Sequence, residues 1–106
     1  MFIASIIYDE EIIFCNTNNL SLRGFYLKTK HKMPLNVPVK VTIYHSNLIA
    51  IKLNAAVVRN EENGVGMQIT NVTASSFVKL RNIIIDNTKD PNVALLETYK
   101  MLKYID

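Results

Sequence analysis

The sequence predicts a mainly β fold, an antiparallel sandwich or barrel of six strands followed by helices at the C-terminus. Three observations lead there. Runs rich in β-branched and aromatic residues recur at short intervals with turn residues between them. The apolar period lengthens from two to about 3.6 after residue 73, and Asp90-Pro91 opens a second helical stretch.

Phe2 to Tyr8 and Ile12 to Thr17, separated by the acidic turn Asp9-Glu10-Glu11, read as a hairpin. Phe25 to Thr29 is the third strand, closed by the basic loop Lys30-His31-Lys32-Met33-Pro34. Val37 to Tyr44 alternates, with Val37, Val39, Val41 and Ile43 on one face and Pro38, Lys40 and Thr42 on the other. Ile49 to Arg59 is a longer strand of the same kind, and Val65 to Thr70, opened by Gly64 and Gly66, is the last. The capping region Thr73-Ala74-Ser75-Ser76 then precedes Phe77, Leu80 and Ile84, with Ile83 beside it, at helical spacing; this helix is suited to plug one end of a barrel. Asp86-Asn87-Thr88-Lys89 breaks it. Asp90 as N-cap and Pro91 at the first helical position start a second helix that runs toward the C-terminus, with Leu95, Leu96, Tyr99, Leu102 and Ile105 on one stripe. That stripe either covers the barrel or pairs with a second copy of the chain.

With 106 residues, 49% of them hydrophobic, the chain makes one domain with one modest core: strands over about 1–72, helices over about 73–86 and 90–105. The net charge of +3 is too small to argue for DNA or RNA binding, and neither zinc-finger spacing nor an aromatic stacking platform accompanies it. The distribution is more telling. Residues 1 to 22 contain Asp9, Glu10 and Glu11 and no Lys or Arg, whereas Arg23, Lys28, Lys30, Lys32, Lys40, Lys52 and Arg59 follow with no acid among them. These are either solvated outward residues or the surroundings of an anionic ligand. The single cysteine, Cys15, lies in the apolar stretch Ile12-Ile13-Phe14-Cys15, which suits a buried side chain in a reducing compartment better than a nucleophile. Met1 to Tyr8 lacks a basic flank and meets acids before any cleavage pattern, so neither a signal peptide nor a membrane span is expected and the location is cytoplasmic.

The best functional handle is Asn19-Leu20-Ser21-Leu22-Arg23-Gly24, placed between two strands. Asn and Ser offer hydrogen bonds to backbone or to a ligand's phosphate and base edges, and Gly24 permits a positive φ or a close backbone approach. An enzyme finds little support elsewhere. His31 and His45 have no partnered ligand spacing, and the carboxylates gather only in the turn-like Asp9-Glu10-Glu11 and Glu61-Glu62. Gly64-x-Gly66 lacks the Lys and Ser/Thr of a phosphate loop. No cofactor is implied.

A strand, then [Asp/Asn]-x-Ser-x-x-Gly, then an aromatic strand resembles the PilZ domain. Ala56-Val57-Val58-Arg59 looks like the family's long strand, Gly64-Val65-Gly66-Met67-Gln68-Ile69 like its gly-h-gly-h-x-h strand (h, hydrophobic), and Phe77 to Ile85 like its closing helix. The resemblance implies a six-stranded antiparallel PilZ-type β-barrel with one or two C-terminal helices. It also implies a non-catalytic bacterial signalling module that receives the second messenger cyclic di-GMP. Family members bind that nucleotide through the Asn/Asp-x-Ser-x-x-Gly segment and an Arg-x-x-x-Arg segment before the first strand. On this pattern Asn19, Ser21 and Gly24, with Arg23 inside the motif, are the ligand-binding residues.

The chain departs from the pattern because no Arg or Lys precedes Arg23. Hydrogen bonds to charged groups contribute about 1.5 to 3 kcal/mol each, so losing two guanidinium side chains weakens binding by roughly two to four powers of ten. Two functions are therefore weighed. One is an atypical member, weak toward cyclic di-GMP, that acts through protein partners in second-messenger, type IV pilus or motility regulation. The other is an atypical cyclic di-GMP receptor using Asn19, Ser21 and Arg23 with Lys28, Lys30, Lys40 or Arg59 as neighbouring cations.

Overall fold

Tyr8 pairs with Glu11 across a two-residue turn in which Asp9 and Glu10 adopt positive φ (50° and 66°), and this turn folds the first two strands into a hairpin. The computed structural model describes residues 2–46, 49–86 and 90–105, with side chains outside the description at 91 and 93–95. The strands are β1 (Phe2–Tyr8), β2 (Glu11–Asn18), β3 (Gly24–Lys28), β4 (Pro38–Tyr44), β5 (Ala50–Glu61) and β6 (Gly64–Val72). They close into an antiparallel barrel in the order β1-β2-β3-β6-β5-β4, and β4 pairs back onto β1. Two helices follow, α1 (Ala74–Asp86) and α2 (Pro91–Met101), with a 3-10 turn at Leu102–Tyr104.

Strand alternation builds the core. Ala4 and Ile6, Ile13 and Cys15, Phe25 and Leu27, and Val39, Val41 and Ile43 all point inward. β5 breaks the alternation: its register shifts against β6 between Asn54 and Ala55 and between Val57 and Arg59, so Ala55, Ala56 and Val57 are buried in succession. Phe77, Leu80 and Ile83 of α1 join the barrel core. Thr73 caps that helix, its hydroxyl accepting from Ser76 N at 3.2 Å. Asp90 caps α2 in the same way, Oδ1 accepting from Asn92 N at 3.0 Å, with Pro91 in the first turn. Burial pushes the Cys15 thiol up to about 11, which keeps it protonated and unreactive at neutral pH.

Several side chains lie elsewhere than their local pattern suggests. Val37 stands before β4 and is exposed, because the chain is still bridging to β5 there: Asn36 N donates to Val57 O at 2.9 Å. Met33, inside the basic loop, is buried in the core, and Asn60 Nδ2 donates to its carbonyl at 3.0 Å. The stripe on the second helix does not cover the barrel as a unit. Leu96, Tyr99 and Leu102 face solvent, whereas Met101 is buried and Ile105 bridges to Val72 of β6. The Leu95 side chain and the break at Asn87-Thr88-Lys89 lie outside the described residues. The hairpin is apolar on both faces: Ile3, Ile7, Ile12 and Phe14 point outward and are exposed. Among the described residues, no helix is long and apolar enough to cross a membrane.

Candidate functional site

β2 ends at Asn18 and β3 begins at Gly24, so the Asn19–Gly24 segment is the connection between two neighbouring barrel strands. Asn19 takes a left-handed φ of 52°, a conformation its short amide side chain tolerates, and its side chain is exposed. Ser21 locks the turn. Its N donates to Gly24 O at 2.9 Å and its hydroxyl donates to the same oxygen at 3.0 Å. The hydroxyl also accepts from Arg23 N at 3.3 Å and Gly24 N at 3.2 Å. One donor and two lone pairs are the whole capacity of a hydroxyl, so Ser21 is fully engaged by its own turn.

Leu22 points into the barrel and is 0% exposed, while its N donates to Glu97 Oε2 of α2 at 3.3 Å. Arg23 projects outward, and its carbonyl accepts from Ile69 N at 2.9 Å, which extends the β3–β6 ladder by one bond. Gly24 pairs with Gln68, and a Cβ there would collide with the Met67 carbonyl oxygen. The glycines among the described residues have no positive φ. Close approach of β3 to β6 is thus what requires glycine at 24, and the left-handed position in the segment is Asn19.

Arg23 opens onto a cleft of about 320 Å³ between the barrel and the C-terminal helix, lined also by Gln68, Tyr99, Lys100, Lys103 and Tyr104. Lys103 Nζ sits 5.1 Å from the centre of the Tyr104 ring. The helix is held against the barrel by Glu97 on the Leu22 amide, by buried Met101 and by the Ile105–Val72 bridge. A second depression, of about 480 Å³, is larger and is lined by Lys40, Lys52, Asn54 and Asn71 on β4, β5 and β6. It contains no residue of the Asn19–Gly24 segment.

Of the cations nominated from sequence, only Arg23 lines the cleft. Lys28 is at the far end of β3, paired with Gly64, and Lys40 lines the second depression. Arg59 lies across Gly66, whose position a Cβ would bring to 3.0 Å from Arg59 Cγ, and its Nε binds Glu61 Oε1 at 2.9 Å. Gly64 makes the same room for the ring of Tyr26. Partial burial and the nearby Glu61 carboxylate raise the Tyr26 phenol above its ordinary value. The glycine pair in β6 therefore seats two outward side chains.

Local sequence pattern does not single out Lys100 and Lys103. The available signal was two lysines three residues apart, bracketed by Tyr99 and Tyr104, and it lay on a helix with no local link to the motif. Among the described residues, no group of three His, Cys, Asp or Glu side chains is placed to hold a metal ion.

The family model of the PilZ domain matches residues 2–86. The chain belongs to the PilZ family. Among solved structures, the PilZ barrel is similar to MrkH of K. pneumonia in complex with c-di-GMP, at 18% identity and a TM-score of 0.55, over 64% of this chain and 31% of that one. A second structure, of MrkH as a novel c-di-GMP-dependent transcription regulatory factor, matches at 19% identity and a TM-score of 0.51, over 64% of this chain and 29% of that one. The chain thus spans less than a third of those proteins, and at this identity the likeness is one of fold. No curated protein matches the sequence. The PilZ match ends at Asp86, the last residue of α1, so α2 with Lys100 and the 3-10 turn with Lys103 are outside it.

Proposed function

We propose that the chain is a non-catalytic, cytoplasmic module of bacterial cyclic di-GMP signalling that receives the nucleotide at the Asn19–Gly24 segment, with Arg23 as the motif's cation. The observation that supports this reading best is the placement of Arg23: the turn locked by Ser21 projects it into a cleft lined by two further cations. A guanidinium binds phosphate oxygens in a fork and pairs with guanine O6 and N7, the groups this nucleotide presents. Asn19, left-handed and exposed, offers an amide at the same connection. Ser21 and Gly24 act through geometry, the one by closing the turn and the other by bringing β3 against β6.

Isothermal titration with cyclic di-GMP tests the reading. The native chain gives saturable binding in the micromolar range. Arg23→Ala weakens it about tenfold or more, the loss of one charge-assisted bond, with the circular dichroism spectrum unchanged. Absence of saturable binding by the native chain would overturn the reading.

A second reading, a module with little nucleotide affinity that works through protein partners in pilus or motility regulation, is favoured by the engaged Ser21 hydroxyl. The outward Ile12 and Phe14 fit it as well, since exposed apolar patches mark protein contacts. Self-association through the exposed Leu96 and Leu102 belongs to the same reading.

A further inference from the structure

We infer that the C-terminal helix supplies the second half of an anion site: Lys100 and Lys103, with Arg23 on the barrel, bind a phosphate group of a nucleotide, and Tyr99 lends its ring to the base. The inference rests on the nucleotide reading above and adds to it an element beyond the PilZ match, which ends at residue 86.

The charges support it first. Three cations line one cleft of about 320 Å³, and none of its described lining residues is a carboxylate. An anion bound among like charges offsets their mutual repulsion. The one acid on α2, Glu97, is turned to the Leu22 amide at 3.3 Å. That bond fixes the helix directly over the connection that carries Arg23. Met101 and the Ile105–Val72 bridge fix its other end, so Lys100 and Lys103 stand on an anchored element.

Shape and chemistry agree. Ligand sites run from about 300 to 1,000 Å³, so the cleft suits the phosphate and sugar of a nucleotide with the base at its mouth. Two ammonium groups act as mobile point charges toward phosphate, and the guanidinium supplies the directional fork. Tyr99 is 80% exposed at the cleft edge, and an unburied aromatic ring beside a basic groove is a stacking face for a base. Gln68 adds an amide for a base or sugar edge.

Titrations of the native chain and of the double variant Lys100→Gln/Lys103→Gln, with cyclic di-GMP and with inorganic pyrophosphate as probes, test the inference. The native chain binds cyclic di-GMP and the double variant binds it about a hundredfold more weakly, at about tenfold per lysine, with an unchanged melting temperature. If both bind cyclic di-GMP equally, the lysine site is overturned and the receptor reading stands. If the native chain binds pyrophosphate but not cyclic di-GMP, and the double variant binds neither, the anion site stands and the cyclic di-GMP reading falls. If the native chain binds neither probe, both are overturned.

Discussion

Leu22→Ala is expected to lower stability by about 2–5 kcal/mol, the range for removing a fully buried leucine side chain from a core that relaxes only in part. Domains of this size are stable by about 5–15 kcal/mol, so the loss is a large fraction of the total. At about 4–8 °C per kcal/mol, the melting temperature falls by about 8–40 °C. Leu22 stands at an unspecified position of the motif, between Ser21 and Arg23, yet it is 0% exposed and packed in the barrel core. Its amide also carries the bond to Glu97. The same substitution therefore loosens both the Asn19–Gly24 connection and the seat of α2. Thermal unfolding followed by circular dichroism reads the effect; a shift below about 5 °C would mean that Leu22 is not the core anchor of the connection.

Gly24→Ala is expected to cost about 3 kcal/mol, the upper part of the range for forced overpacking. A Cβ at 24 meets the Met67 carbonyl oxygen, which is backbone and part of the β3–β6 ladder, so relief requires the strands to separate. Gly66→Ala is the internal control. There the nearest atoms belong to the Arg59 side chain, at 3.0 Å and beyond, and that side chain is exposed and able to swing away. Chemical denaturation of the two variants should show a large loss for Gly24→Ala and a loss below about 1 kcal/mol for Gly66→Ala. Equal effects at the two positions would contradict close strand approach as the reason for glycine at 24.

Much of the architecture was legible because its causes are local. Acidic residues able to turn at positive φ sit between Tyr8 and Glu11, alternation marks Val39, Val41 and Ile43, and the caps Thr73 and Asp90 stand where the two helices begin. The motif was legible for the same reason, as a connection whose residue types and offsets are fixed. What local pattern missed is tertiary. Met33 sits among basic residues and is buried only because its loop crosses to β5, where Asn60 and Val57 receive it. Val37 continues the β4 alternation in sequence but stands outside the strand. Lys100 and Lys103 are nearly eighty residues from Arg23, and the tertiary contacts of Glu97, Met101 and Ile105 bring them to it.

The most direct test of nucleotide binding at the Asn19–Gly24 cleft is the amide spectrum of isotope-labelled protein titrated with cyclic di-GMP. Saturable shifts are expected, confined to residues 19–24, to Gln68 and its neighbours in β6, and to residues 97–104. Shifts centred instead on the depression around Lys40 and Lys52, or none at saturating nucleotide, would contradict it.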